Sequence, residues 1–187
     1  MNNSLESLPA SLGQLPALQG LSAMGNQLTG IPAEIGKLSA LQELDLGQNK
    51  LNALPKELGS LAKLKDLRLG SNLLSELPVE LGKLTELEQL DVGSNQLQNL
   101  PSEIGNLTQL KTLKIANNQL STLPKTISGL TNLEELDLWN NTIRSLPEGL
   151  GKLTHLQTLK LQADALPDWE KDKINTELLS TQVRSLF

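Results

Sequence analysis

Side chains that could carry out chemistry are sparse in this chain of 187 residues. It has no cysteine and one histidine, His155. A zinc site needs several Cys or His ligands, and a nucleophile needs an adjacent base, so neither can be assembled around His155. The sequence therefore predicts no catalytic residue, no metal site and no cofactor. We interpret His155 as a solvated surface side chain.

The sequence contains two motifs that resemble a phosphate-binding loop and N-glycosylation sites. Residues 30–37 place glycines and a lysine in the order of a phosphate-binding loop. Their spacing is one residue too long, and Leu38 occupies the place of the magnesium-binding Ser or Thr. Asn2, Asn106 and Asn140 begin N-x-S/T triplets, yet the N-terminal residues lack the basic and apolar segments of a signal peptide. We expect neither phosphate binding nor glycosylation.

A row of charged residues is the strongest candidate for recognition. Starting from Asp45, one charged residue recurs every 23 residues with strictly alternating sign. The row, preceded by Ser22, consists of Asp45, Arg68, Asp91, Lys114, Asp137 and Lys160. Two explanations stay open. Neighbours of opposite sign neutralise each other, each pair contributing at most about 1 kcal/mol, or the pattern recognises a partner.

A second row lies two residues after each member of the first. Its members are Met24, Gly47, Gly70, Gly93, Ala116, Trp139 and Gln162. The small residues predict a shallow, open floor, on which Trp139 is a side chain of the type that anchors interfaces. Packing of Trp139 against Lys160 or the C-terminal segment is the alternative. The predicted partner-binding residues are Asp45, Arg68, Asp91, Lys114, Asp137, Trp139 and Lys160.

Composition limits the class of partner. The formal net charge is -5 and the basic residues do not cluster. This argues against nucleic acid, whose binding needs concentrated positive charge. No apolar run reaches the roughly 20 residues of a membrane helix. We therefore expect a protein or peptide ligand, no nucleic-acid or membrane contact, and a monomer. The expected location is the cytoplasm, or the host cytosol if the protein is a secreted effector.

Both rows arise from an internal repeat. An asparagine recurs every 23 residues, at Asn26, Asn49, Asn72, Asn95, Asn118 and Asn141, and the spacing extends to Asn3 and Asp164. The same apolar positions surround each copy, as in Leu41, Leu44, Leu46, Leu51, Leu54 and Pro55. The consensus is L-x-x-L-x-L-x-x-N-x-L-x-x-L-P-x-x-I/L-G-x-L.

This consensus resembles that of leucine-rich repeat proteins, from Leu5 to about Leu166. The 23-residue L-P-x-x-I-G form is similar to short bacterial repeat proteins and to Ras-associated and scaffold-type intracellular repeat proteins of eukaryotes. The resemblance implies an α/β solenoid, a leucine-rich repeat horseshoe with a parallel concave β-sheet, short 3₁₀ or helical convex turns, and a C-terminal helix-plus-strand cap. It also implies a non-catalytic module that binds its partner on the concave face.

The physics of one repeat agrees with that architecture. Along residues 44–46, alternation sends the leucines inward and Asp45 outward, so we expect a short strand stacked in parallel on its copies. The amide of Asn49 offers two donors and an acceptor to backbone groups of two adjacent repeats. The asparagines are therefore predicted to be structural.

Each return segment starts with proline and ends with glycine. We expect a short helical or 3₁₀ turn, with Pro55 at its first position and Gly59 in a left-handed exit. The glutamates two residues after the prolines are expected to cap these turns. They are Glu34, Glu57, Glu80 and Glu103. Thr126 and Ser128 replace Glu and Gly in one turn, which predicts a slight distortion there.

A helix is predicted where the repeat ends. Residues 169–179 have helical character, with Asp168 as the N-cap and with Ile174 and Leu178 on one face. Trp169 is expected to form a lid over the last leucines. A helix that binds the partner is the alternative.

A final strand is predicted over residues 182–187, with Val183 and Phe187 on one side. This helix-then-strand ending resembles that of short bacterial repeat proteins. We expect a single domain over residues 1–187, with repeats over 3–166 and a C-terminal cap over 167–187.

Two other functions stay open. The repeats could target substrates for a larger bacterial effector, or for a repeat-bearing GTPase or kinase, whose catalytic domain lies outside these residues. Because the sequence begins inside a repeat, we expect the array to begin abruptly or to be part of a longer one. A surface adhesin or carbohydrate binder would predict an upstream signal peptide and more aromatic residues on the concave face than Trp139 alone.

Overall fold

Eight short parallel strands form one sheet in the part of the chain that the computed structural model describes, residues 4–162, 166–178 and 184–186. The strands are β1 Gly20–Ser22, β2 Glu43–Asp45, β3 Asp66–Arg68, β4 Gln89–Asp91, β5 Thr112–Lys114, β6 Glu135–Asp137, β7 Thr158–Lys160 and β8 Arg184–Leu186. Their order in the sheet is their order along the chain. The predicted parallel solenoid is confirmed.

Each of the first seven strands pairs with a neighbour one repeat away. Leu44 of β2 pairs with Leu67 of β3, and Leu67 pairs with Leu90 of β4. Equivalent positions therefore form rows across the sheet. Strand β2 covers Glu43–Asp45 and so ends before Leu46, one residue earlier than the leucine alternation predicted. Boundaries of this kind commonly shift by a residue.

A 3₁₀ helix precedes each of the strands β1–β7 in the described residues. These helices are Ala10–Gln14, Ala33–Lys37, Lys56–Ser60, Val79–Lys83, Ser102–Asn106, Lys125–Gly129 and Leu150–Lys152. The α-helix α1, Asp168–Leu178, packs against Leu150–Lys152. The predicted short turns and the helix-plus-strand ending are therefore present.

The return-turn glycines have a different role from the predicted left-handed exit. Pro55 precedes the helix Lys56–Ser60 in an extended conformation, with φ of -70° and ψ of 143°, and Gly59 lies inside the helix. A Cβ on Gly59 would stand 2.3 Å from the carbonyl oxygen of Glu80 in the next repeat. Glycine is therefore needed at position 59 for the close approach of successive turns. The predictions of Pro55 as the first helical residue and of Gly59 as a left-handed exit are both wrong.

Left-handed backbone occurs elsewhere in the repeat, directly before the recurring asparagines. The residues are Gly25, Gln48, Ser71, Ser94, Asn117 and Asn140, with φ between 53° and 70°. At these positions the chain leaves the sheet and turns toward the return path. Polar residues and glycine tolerate this conformation better than other residues do.

The glutamates predicted to cap the return turns lie near the positive ends of those turns. They lie in the first turns of their helices, and the residues are Glu34, Glu57, Glu80 and Glu103. No side-chain capping hydrogen bond is present at the start of these four helices. The predicted placement of these carboxylates at the positive ends of the turns is therefore confirmed, and their contribution is electrostatic.

The asparagine ladder is structural, as predicted. Asn49 is buried, and its Nδ2 donates to the carbonyl oxygens of Ala23 at 3.0 Å and Leu46 at 2.9 Å. Its Oδ1 accepts from the Leu28 N–H at 3.1 Å. One amide thus satisfies backbone groups in two adjacent repeats. Asn3 and Asp164, at the ends of the series, lie outside the described residues.

The core is a continuous stack of leucine and isoleucine side chains that extends from Ala23 to Ile174. In the described residues no aromatic side chain belongs to it, and both tryptophans are exposed. Each repeat contacts mainly its neighbours, so the stability of such an array is distributed among the interfaces between repeats.

Helix α1 docks through a face that excludes Trp169. Asp168 is the first helical residue rather than the N-cap, and the Glu170 N–H donates to the Pro167 carbonyl at 3.0 Å. Glu170 and Ile174, one turn apart, are buried. Trp169 points away from that face and is 63% exposed, so the predicted lid is wrong. The placements predicted for Leu178, Val183 and Phe187 concern side chains that the structure does not describe.

Candidate binding surface

The charged row lies across the sheet in the predicted order. Backbone pairing places Asp45 beside Arg68, and the same register continues to Lys160. We call the surface made by the first and last residues of β1–β7, with the residue two positions after each strand, the sheet face. All the predicted partner-binding residues therefore belong to it. Their role in binding stays a prediction.

The aspartates of the row bend back toward their own turns. Asp45 Oδ1 accepts from the Gly47 N–H at 3.0 Å, and Asp91 Oδ1 accepts from the Gly93 N–H at 2.9 Å. Asp137 does the same with the Trp139 N–H at 3.1 Å. These carboxylates satisfy the backbone where the chain leaves the strand, as aspartate does in tight turns.

Arg68 pairs within its own strand and not with its neighbours in the row. Its guanidinium donates to both carboxylate oxygens of Asp66, with Nε to Oδ1 at 3.2 Å. The hydrogen bond and charge of Asp66 raise the pKa of Arg68, with smaller contributions from Asp45 and Glu43. Asp66 was absent from the predicted site. Strand alternation could have identified it, since residues 66 and 68 share a face.

Lys160 shows the one neutralising pair between neighbours of the row in the described residues. Its Nζ lies 2.8 Å from Glu135 Oε1 and 3.3 Å from Asp137 Oδ2. The hydrogen bond to Glu135, followed by that to Asp137, raises the pKa of Lys160. Neutralisation between neighbours of the charged row therefore occurs at Asp137 and Lys160 but not at Arg68.

Lys114 is an uncompensated cation on this face. It is exposed, and its side chain makes no hydrogen bond or ion pair with the residues that the structure describes. Its neighbours in the row, Asp91 and Asp137, direct a carboxylate oxygen to backbone N–H groups. The charge of Lys114 is thus available to a ligand.

Small residues form a floor between two exposed apolar side chains. Met24 is 48% exposed at one end of the second row, and Trp139 is 50% exposed toward the other. The indole makes no hydrogen bond or ring contact within the described residues. The floor has a structural reason too, because a Cβ on Gly70 would lie 3.2 Å from Asp91 Oδ1.

Two shallow depressions, each of about 310 Å³, lie on the sheet face on either side of the Arg68–Asp66 pair. The first is lined by Gly20, Leu21, Ser22, Glu43, Leu44, Asp45, Asp66 and Arg68. The second is lined by Asp66, Arg68, Gln89, Leu90, Asp91, Thr112 and Lys114. The first contains three carboxylates and one guanidinium, whereas the second has two groups of each sign.

The remaining sequence candidates lie away from this surface. His155 is exposed, and its Nδ1 lies 3.0 Å from the Thr131 carbonyl oxygen, which confirms its surface position. Within the described ranges, no group of His, Asp and Glu side chains has the arrangement of a metal site. No helix there has the length and apolar character required to cross a bilayer.

Two sequence families match the chain. Residues 56–186 match a family described as a leucine-rich repeat region, and residues 24–74 match one described as leucine rich repeat. No curated protein matches the chain significantly.

Solved structures with the same fold come from bacteria and plants. A leucine-rich repeat protein of Leptospira interrogans is 35% identical with a TM-score of 0.80, over 97% of this chain and 52% of that one. An internalin of Listeria monocytogenes is 25% identical with a TM-score of 0.77, over 97% and 51%. The chain thus spans about half the length of both bacterial proteins.

A plant structure adds a bound ligand. The Arabidopsis receptor kinase HAESA, solved with the peptide hormone IDA and the co-receptor SERK1, is 34% identical with a TM-score of 0.73. The match covers 83% of this chain and 28% of HAESA.

Proposed function

Because the chain belongs to the leucine-rich repeat family, we propose that it is a non-catalytic module that binds a protein or peptide partner on its sheet face. The observation that carries this proposal is the half-exposed indole of Trp139. A tryptophan above a floor of small residues contributes no core packing and presents a large apolar surface to a ligand. Such side chains dominate the binding energy of many interfaces.

The proposed contact residues differ in role. Arg68, Lys114, Trp139 and Lys160 extend from the sheet and can meet a ligand. Asp45, Asp91 and Asp137 hold the turns beneath it and contribute negative charge. We retain all seven in the proposed footprint and add the missed residues Glu43 and Asp66, which line the first depression.

The wider proposal follows the resemblance of the sequence. The chain is a monomeric repeat domain of the 23-residue L-P-x-x-I-G type found in short bacterial proteins. Its ligand is a protein or peptide, as the HAESA structure illustrates for a relative of the same fold. The face uses neither a cofactor nor a metal ion.

Peptide display tests this function. A random peptide library is selected on the immobilised wild-type chain, and the binders are measured against Trp139→Ala combined with Arg68→Glu. We expect their affinity to fall about tenfold or more, as for loss of an interface anchor. Trp169→Ala is the control, because Trp169 is the more exposed of the two tryptophans but lies on α1.

The control also separates the alternatives. Binders that survive the double substitution but are lost with Trp169→Ala would place the ligand on α1 and refute the proposed face. Circular dichroism of each variant confirms that the repeats remain folded. A selection that yields no binder dependent on the sheet face would count against peptide binding altogether.

A further inference from the structure

The sheet face carries an ordered set of unlike sites, from which we infer the chemistry of the ligand. We propose that it binds an extended peptide that crosses β2 to β6 and bears a basic residue, then an acidic residue, then an aromatic or large apolar residue. The basic residue of the peptide contacts Glu43 and Asp45, its acidic residue contacts Lys114, and its apolar residue contacts Trp139. The inference rests on the proposed function and deepens it.

The first depression selects a basic side chain. Glu43 is exposed and has no ion-pair partner within 4.0 Å in the described residues, and Asp45 lies on the same strand. Arg68 and Asp66 largely neutralise each other's charge through their two hydrogen bonds. Glu43 and Asp45 therefore leave a net negative potential at this end, which a lysine or arginine of the ligand would complement.

The second depression selects an acidic side chain. Its charges are those of Asp66, Arg68, Asp91 and Lys114. Asp66 and Arg68 pair, and one oxygen of Asp91 is held by the Gly93 N–H. Among these four, only the side chain of Lys114 has neither a hydrogen bond nor an ion pair with the described residues. Thr112 and Gln89 add neutral hydrogen-bonding groups to the same lining, so a carboxylate that reaches Lys114 also finds donors beside it.

The geometry of the sheet sets the spacing of the three residues. Strands β2 and β5 are three strand intervals apart, or about 14 Å at roughly 4.8 Å per interval. An extended chain advances roughly 3.3 Å per residue, so basic and acidic residues are separated by about four positions. Trp139 follows the adjacent strand β6, so the apolar residue lies about two positions beyond the acid.

Defined peptides test this order. The probe is Ser-Lys-Ser-Gly-Ser-Asp-Ser-Trp-Ser, synthesised in both chain directions with a fluorescent label. Each has a matched peptide in which Lys and Asp are exchanged. Anisotropy titration at low ionic strength should show that one direction binds the wild-type chain about tenfold tighter than its exchanged form, since like charges then face each other.

Variants of the protein assign that preference to the two sites. Lys114→Glu should abolish the preference, and Glu43→Lys combined with Lys114→Glu should reverse it. Lys83→Glu makes the same charge change at an exposed position of the 3₁₀ helix Val79–Lys83 and should leave the preference intact. Equal effects of the substitutions at positions 83 and 114 would overturn the inference.

The remaining outcomes separate the inference from the proposed function. Peptides that bind, lose affinity with Trp139→Ala and ignore the exchange of charges would refute the charge order and leave the binding face intact. Peptides unaffected by Trp139→Ala would argue against both. Failure of both chain directions to bind the wild-type chain would also overturn the proposed motif.

Discussion

The side chain of Ser128 lies against Gly149 in the following repeat, where a Cβ would stand 3.5 Å from the Ser128 Cβ. In the preceding repeat the arrangement is the opposite, because Gly105 lies against Thr126. A Cβ added to Gly105 would stand only 2.3 Å from the Thr126 carbonyl oxygen. The glycine has therefore moved to the other partner of the contact. The turn of Ser128 keeps five residues, Lys125–Gly129, whereas the next is shortened to Leu150–Lys152. The distortion predicted at Ser128 is thus wrong by one repeat.

Gly149→Ala should destabilise the chain by about 1–2 kcal/mol, because Gly149 has a φ of 89° that a side chain disfavours. Ser128→Gly in the same background should recover little, since the backbone strain at position 149 remains. Urea denaturation measures both variants. A neutral Gly149→Ala would show that this turn relaxes without strain.

Gly59→Ala should cost about 1–3 kcal/mol through overpacking, because the new methyl would meet the backbone carbonyl of Glu80. Gly30→Ala is the matched control, since no atom lies within 4 Å of an added Cβ there and its φ is not positive. The midpoint of chemical denaturation should shift for position 59 and stay nearly constant for position 30. Similar shifts for both glycines would contradict the close-approach explanation.

These glycines show what could be predicted from the sequence. The recurrence of Gly59 showed that a side chain is excluded at that position. It could not distinguish a left-handed backbone from a close neighbour, because both exclude a Cβ. The choice depends on how far apart successive turns lie, which the sequence alone does not reveal. Asn49, by contrast, was correctly predicted, since few other arrangements satisfy a buried amide that recurs once per repeat.

The same limit applies to the charges of the sheet face. Alternation placed Arg68 beside Asp45 and Asp91 correctly, but the bidentate bond to Asp66 depends on side-chain rotamers. In α1, the helical period grouped Ile174 with the buried face, yet Glu170 took the place expected for Trp169. Glu170 is buried there because its carboxylate accepts from the backbone N–H of Leu146. The periodicity of the sequence does not reveal that this N–H needs an acceptor from the helix.

Asn72→Ala should be destabilising by about 1–3 kcal/mol, because it leaves a buried backbone N–H without a partner. The Leu51 N–H would lose its acceptor at 3.0 Å, and the Leu46 and Leu69 carbonyls would each lose one donor while keeping those of Asn49 and Asn95. Asn99→Ala, at an exposed position, is the control and should be nearly neutral. Hydrogen exchange at the Leu51 amide should accelerate in the first variant only.

Glu88 should titrate below the ordinary range of a glutamate. Lys111 donates to Glu88 Oε2 at 2.7 Å, and this hydrogen bond and charge lower the pKa of Glu88, with a smaller effect of Lys65. Because the pKa is lower in the folded state, the stabilisation is present at neutral pH and is lost as pH falls through that value. The difference in stability between the wild type and Glu88→Gln should therefore vanish in acid.

The titration of the Glu88 side-chain carboxyl carbon, followed by NMR, measures this directly. The same carboxyl in a Lys111→Ala variant provides the comparison, because that substitution removes the donor at 2.7 Å. High salt should reduce the difference between the two proteins, since exposed pairs are screened. A Glu88 curve that does not change in Lys111→Ala at low salt would mean that the pair does not persist in solution.

Glu170 should act as the docking point of α1 through its hydrogen bond rather than through its charge. Its side chain is buried, Oε1 accepts from the Leu146 N–H at 2.7 Å, and Oε2 has no partner. Glu170→Gln keeps an acceptor and removes a buried charge, so stability should be maintained or increased. Glu170→Ala leaves the Leu146 N–H unpaired and should cost about 1–3 kcal/mol. Hydrogen exchange should then accelerate at Leu146 and along α1, while the middle repeats stay protected. If the Gln variant exchanged as fast as the Ala variant, the charge and its distant partner Lys173, 4.0 Å from Oε1, would be the source of docking instead.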